Sequence, residues 1–110
     1  MIEDTIKELE ARIKNASSIP DQKRRELTTL LGKLKSEVVE LAKTKGEAAE
    51  SITGFAKLSG YEATRKVQNK QLLDLSLDGL EKSVKEFEVT HPNLAQIVNS
   101  ICVTLSKLGI

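Results

Sequence analysis

Residues 27–41 read Leu27-Thr28-Thr29-Leu30-Leu31-Gly32-Lys33-Leu34-Lys35-Ser36-Glu37-Val38-Val39-Glu40-Leu41. Leu27, Leu31, Leu34, Val38 and Leu41 fall at spacings of 4-3-4-3. That spacing puts all five on one side of an α-helix, whereas a half-buried strand would alternate every second residue. Three further segments carry the same stripe: Ile2, Ile6, Leu9, Ile13 and Ala16; Leu73, Leu77, Leu80, Val84 and Phe87; and Leu94, Val98, Ile101, Leu105 and Leu108. Each must bury one face against another element. The expected fold is therefore all-α, with antiparallel helical hairpins forming a four- to five-helix bundle with coiled-coil-like packing.

The polar positions and the composition agree. Glu3–Lys7, Glu8–Arg12, Glu10–Lys14, Asp21–Arg25, Glu62–Lys66, Asp78–Lys82 and Glu81–Lys85 are acid-first pairs one helical turn apart. Each such pair supports a helix by about 0.2–0.5 kcal/mol. Among 110 residues there are only two Phe, one Tyr and no Trp, against the aromatic-rich habit of sandwiches and barrels. The 110 residues read as one domain.

Boundaries follow from capping chemistry. Asn15-Ala16-Ser17-Ser18-Ile19-Pro20 interrupts the first helix, with Ser18 expected to cap the second and Pro20 to sit in its first turn. Thr90 is expected to cap the last helix, with Pro92 in its first turn and Val89 stapled onto Leu94. Gly109 suits the left-handed position after that helix, with Ile110 folding back toward Leu105. In the middle the stripe continues weakly through Ala48, Ile52 and Phe55, while Lys45 falls in a core register. Thr44-x-x-Glu47 and Ser59-x-x-Glu62 read as capping boxes, and Gly46, Gly54 and Gly60 each weaken a continuous helix by about 1 kcal/mol. Breaks are expected near 45 and 59, and one helix over 20–58 is the competing reading. The helices are placed at approximately 2–16, 19–45, 47–58, 61–88 and 91–108. Residues 62–71 hold only Ala63 and Val67 as apolar side chains and read as exposed helix or partial disorder.

Charge and cysteine content bound the function. With 17 basic and 16 acidic residues the chain is nearly neutral, so nothing in the whole demands a polyanion or an anionic membrane. The single Cys102 excludes an internal disulfide framework. Met1-Ile2-Glu3-Asp4 lacks the apolar centre of a signal peptide, and no apolar run approaches the roughly 20 residues of a membrane span. A cytoplasmic location is expected.

Candidate chemistry is sparse. His91 is the only histidine, and its place before Pro92 suits a helix start. Cys102 lies eleven residues further on, about 16 Å along a helix and out of hydrogen-bond reach of His91 within one chain. Glu86 and Glu88 flank Phe87 near His91 with nothing to mark a pocket. No cluster has metal-ligand spacing, and no glycine-rich phosphate loop or nucleophile elbow is present. Catalytic residues, cofactor, metal and small-molecule substrate are therefore all expected to be absent, and the chain is read as a non-enzyme. Lys23-Arg24-Arg25 with Lys33 and Lys35 is the densest basic run. Glu26, Glu37 and Glu40 interleave it, and no aromatics are placed to stack on bases. A nucleic-acid accessory role through 23–35 is the alternative reading, and a nucleic-acid partner is disfavoured.

The favoured function is a helical interaction or oligomerisation module. The second and third long helices outrun their partners, so part of the stripe is expected to stay uncovered. Leu72 and Leu75 widen the apolar arc of the third. Leu34, Val38, Leu41, Leu73, Leu77, Leu80 and Val84 are the expected interaction residues, covered by a twofold homodimer or a partner helix. A monomeric bundle that closes on itself is the competing reading.

Phe87-Glu88-Val89-Thr90-His91-Pro92-Asn93-Leu94, running on to Leu105-Ser106-Lys107-Leu108-Gly109-Ile110, resembles the ending of a small bacterial family of uncharacterised proteins. The family pattern is FE-x-x-HP-x-L, an amphipathic helix, then L-x-x-(L/M)-GI. Pro20 to Leu34 looks similar as well, and this chain carries a longer middle, about 44–72. The resemblance implies an all-helical fold and no activity, and it makes His91, Pro92 and Gly109 family-pattern positions.

Overall fold

Large aliphatic side chains at helical spacing organise the computed structural model, which describes residues 1–108. The described residues form α1 (Ile2–Asn15), α2 (Asp21–Ala42), α3 (Gly46–Ala63), α4 (Lys70–Ser83), a 3₁₀ turn (Lys85–Phe87) and α5 (Pro92–Leu108). The all-α bundle expected from the periodicity is the fold. One hydrophobic cluster runs through all five helices. Within it, Leu27, Leu31, Leu34, Val38 and Leu41 from α2 meet Leu73, Leu77 and Leu80 from α4 and Leu94, Val98, Ile101 and Leu105 from α5.

The helix in the middle is the one with the smallest inner face. α3 packs against each of the other four helices. Its buried residues are Ala49, Ile52, Thr53, Ala56, Ser59, Gly60, Glu62 and Ala63. Small side chains let neighbouring axes approach closely, and a bulky stripe here would hold them apart. Leu9 of α1 lies on Gly60, where a side chain's Cβ would overlap its Cδ1. On the far side the Phe55 ring lies on Gly79 of α4, where a Cβ would overlap the ring.

Polar contacts fix the direction of α1 beside α3. Arg12 Nε donates to Thr64 Oγ1 at 2.8 Å, and its guanidinium stacks 4.3 Å from the Tyr61 ring centroid. Lys57 pairs with Glu8 at 3.7 Å. Both positions rise together along the two helices, so α1 and α3 run parallel. Glu10 reaches Lys35 of α2 at 3.3 Å. Of the seven acid-first pairs, Glu3–Lys7 and Asp78–Lys82 form. Glu8 and Glu10 instead tie α1 to its neighbours.

Several expected boundaries shift, each for a physical reason. The break near 45 is present, because α2 ends at Ala42 and α3 begins at Gly46; the single helix over 20–58 is not formed. The break at 59 is absent: α3 runs through Ser59 and Gly60 to Ala63. The contact with Leu9 outweighs the roughly 1 kcal/mol that glycine costs a helix. The interruption falls at 64–69 instead, replacing the expected helices 47–58 and 61–88. Asn69 caps α4, its side chain accepting from Leu72 N at 3.1 Å. The α-helix there ends at Ser83, and the 3₁₀ turn carries the stripe on, so Val84 and Phe87 stay buried.

Three expected caps are not made. α2 starts at Asp21 after Pro20, with no side-chain cap from Ser18. Arg24 occupies the turn, donating to the carbonyls of Ala16 and Ile19 at 2.6 and 3.0 Å. α3 follows Lys45 with no side-chain cap, so Thr44 does not close a capping box. Pro92 opens α5 as expected, but Thr90 Oγ1 meets His91 Nδ1 at 3.0 Å, and Val89 is exposed rather than stapled onto Leu94. The expected turn at Gly109 and Ile110 lies outside the described residues.

Candidate functional site: the outer face of α3 and α4

The seven expected interaction residues do not form a surface. Leu34, Val38, Leu41, Leu73, Leu77, Leu80 and Val84 are all buried in the core of a single chain. The expectation that a length of stripe stays uncovered is corrected by α3, which lies against both α2 and α4. Any surface offered to a partner has to be made by other residues.

Such residues stand on the opposite side of α3 and α4. Phe55 is 38% exposed, Leu58 47%, Leu72 47% and Leu75 64%. They come together with Glu62 and Ser76 around a groove of about 220 Å³ between the two helices. Phe55 also borders an adjoining open groove with Ala48, Ser51, Gly79 and Lys82. The result is an apolar strip along the α3–α4 hairpin. Leu72 and Leu75 are legible in the sequence as the wide arc of their helix. Phe55, expected on the inner stripe, lies outside it, because the buried register of α3 is Ala49-Ile52-Ala56, one position on from Ala48.

Glu62 stands at one end of the strip. Its carboxylate is almost wholly buried and is held by a two-pronged Arg65 guanidinium, Nε to Oε1 at 2.9 Å and Nη2 to Oε2 at 3.0 Å. That contact, with its charge, holds Arg65 above the ordinary guanidinium value. Forked pairs of this kind satisfy a buried carboxylate, so it asks for no further ligand.

The remaining candidates are separated. His91 packs edge-on against Phe87, ring centroids 5.4 Å apart, at the start of α5. Cys102 lies midway along α5, its Sγ 3.9 Å from the Leu77 carbonyl oxygen. Glu86 and Glu88 are exposed. Among the described residues no three His, Cys, Asp or Glu side chains are grouped to hold a metal ion, and no helix is long and apolar enough to cross a membrane. Three of the five side chains of the basic run are engaged within the chain. Arg24 is bound to two carbonyls and Asp21, Lys23 pairs with Glu26, and Lys35 with Glu10.

Burial pushes the Cys102 thiol up from 9.0 to about 11, with the Glu81 carboxylate adding to it. A rise of that size lowers the thiolate fraction near neutrality roughly 100-fold, and only the thiolate reacts. Disulfide-exchange labelling of native protein at pH 8 should therefore run about 100-fold slower than in denaturant. Equal rates would show that Cys102 is not enclosed. The raised value also means that the folded state holds this proton more tightly than the unfolded chain. Its contribution to stability is complete below pH 9.0 and is lost as pH rises toward about 11.

No curated protein and no solved structure matches the chain significantly. One family model does, over residues 56–110, which hold the last part of α3, the 64–69 linker, α4, the 3₁₀ turn and α5. Leu58, Leu72 and Leu75 of the strip fall inside the matched half. On that match, the chain belongs to the family described as Domain of unknown function (DUF4404).

Proposed function

We propose that the protein is a non-enzymatic helical interaction module that holds another polypeptide against the outer face of α3 and α4. The observation that carries this reading is the strip of Phe55, Leu58, Leu72 and Leu75, exposed although the core is complete without them. Scattered exposed leucines are ordinary, whereas apolar side chains converging on one groove mark an interaction site. Two adjacent helices with a groove between them suit an apolar helical ridge of a partner. The separation of His91 from Cys102 and the internal pairing of Lys23, Arg24 and Lys35 support a binding role over catalysis or phosphate contact.

A photo-cross-linking residue in place of Leu75 tests this in cells. A discrete polypeptide adduct is expected from position 75 and not from position 33, which borders the polar groove between α2 and α5. Leu72→Asp should abolish the adduct. Labelling at 33 without labelling at 75, or no adduct from either, would overturn the reading.

A further inference from the structure

We infer that the polypeptide seated on this face is a second copy of the same chain. Leu72 and Leu75 of each copy would pack against Phe55 and Leu58 of the other about a twofold axis. This rests on the interaction-module reading and names its partner.

Charge is the first argument. An isologous contact lays every rim charge near its own copy, so a face of one sign repels itself. The charged residues lining the two grooves are Glu62, Lys82, Lys85 and Glu86, two acidic and two basic. Two of them are neutralised within the chain: Glu62 by Arg65, and Lys82 by Asp78 at 2.7 Å. On the same helix Lys70 pairs with Asp74 at 3.5 Å. The two that are left, Lys85 and Glu86, are of opposite sign, so the face has no net charge to oppose a copy.

Shape is the second. α3 and α4 are joined by the six-residue linker 64–69 and run antiparallel, as the contacts Phe55–Gly79 and Leu58–Leu75 require. A twofold operation on an antiparallel hairpin sets two helices on two helices, so both copies fill their grooves at once. Gly54, exposed on α3 with open space around it, leaves room for close approach.

Area sets the strength. At the observed exposures the four side chains leave on the order of 300 Å² of apolar surface. Two such faces bury on the order of 600 Å² in total, below the range of stable specific interfaces, so association is weak and transient. The dimer should therefore form and dissolve with concentration rather than be obligate, in keeping with a core that closes within one chain.

Sedimentation of the purified full chain from about 10 μM to about 1 mM reads this directly, a range suited to weak binding. The average mass should climb from 12.1 kDa toward twice that value. Leu75→Asp should keep the wild-type melting temperature and weaken association at least about tenfold. In a Cys102→Ser background, a Leu75→Cys chain mixed with a Leu58→Cys chain should yield a disulfide-linked dimer under mild oxidation, and a Lys33→Cys chain mixed with the same partner should not. A wild-type mass fixed at 12.1 kDa across the range, with no disulfide dimer from position 75, overturns the second-copy proposal. In-cell adducts at position 75 to a different polypeptide would then leave the interaction module standing with another partner, whereas no adducts at all would remove both.

Discussion

Leu80→Asp should leave no cooperative native state at 25 °C. Leu80 is fully buried, within a cluster of Leu, Ile, Val, Ala and Phe side chains. Truncating a buried leucine costs about 2–5 kcal/mol before any charge is considered. The carboxylate adds an effective penalty of several kcal/mol, because it would be fully removed from water at this position. A domain of this size has only about 5–15 kcal/mol of stability to lose. Five residues earlier on the same helix, Leu75→Asp places the same charge on a side chain that is 64% exposed, and surface changes of that kind usually stay within about 0.5 kcal/mol. Thermal melts of the two variants separate burial from chemistry. A cooperative Leu80→Asp melt within a few degrees of wild type would mean that the α4 stripe does not face the core, and the packing described above would be wrong. Loss of association by Leu80→Asp would say nothing about the docking face, because that variant loses the fold itself.

Four of the five helices were legible in the sequence, and the reason is the size of their inner residues. In α1, α2, α4 and α5 the buried positions are mostly leucine, isoleucine or valine at three- and four-residue spacing, and polar residues fill most of the rest. α3 inverts that pattern. Its inner face is largely Ala49, Thr53, Ala56, Ser59, Gly60 and Ala63 around a single large residue, Ile52, and Phe55 and Leu58 point outward. A reading that weights bulk assigns the wrong face and reads Ser59-Gly60 as a stop. The usable signal was the three- and four-residue recurrence of small residues from Ala49 to Ala63, which marks a helix packed on several sides. Caps failed for local reasons. Ser18, Thr44 and Thr90 each have the right chemistry, but α2 starts after Pro20 and α3 after Lys45, so Ser18 and Thr44 stand outside the cap position, and Thr90 Oγ1 meets the His91 ring instead. Asn69 stands at the cap position of α4, and its side chain caps.

Weighting bulk also puts the exposed apolar face in the wrong place. A helix longer than its hairpin partner is expected to leave its stripe bare, which makes the stripe the interaction surface. α3, packed against four helices, covers that stripe and presents its own outer residues instead. The large apolar positions left exposed on α3 and α4 are therefore those outside the main periodicity: Leu72 and Leu75 beside the α4 stripe, Phe55 and Leu58 opposite the α3 one.

Gly60→Val tests that central role of α3, with the second-largest expected effect. A Cβ at position 60 would overlap Leu9 Cδ1 and stand 3.4 Å from Leu9 Cδ2 and Cγ. Leu9 is itself only 2% exposed, so it cannot turn aside into solvent without emptying its place in the core. α1 cannot readily retreat either, since Arg12 holds it to Thr64 and Tyr61 on one side of the contact and Glu8 to Lys57 on the other. Overpacking in such a setting costs about 1–3 kcal/mol, and the branched valine adds further atoms in the same direction. The conformational gain from replacing a helical glycine is about 1 kcal/mol at most, so the net is destabilising, with a melting temperature lower by on the order of 10 °C. Gly79→Ala supplies the contrast. The overlap there is with the Phe55 ring, which is 38% exposed and free to swing outward, so the helical gain offsets the displacement and stability should change by less than about 1 kcal/mol. If Gly60→Val melted at or above wild type while Gly79→Ala fell, the close approach would belong to α4 rather than α1. The thin inner face of α3 would then not be what allows five helices to share one core.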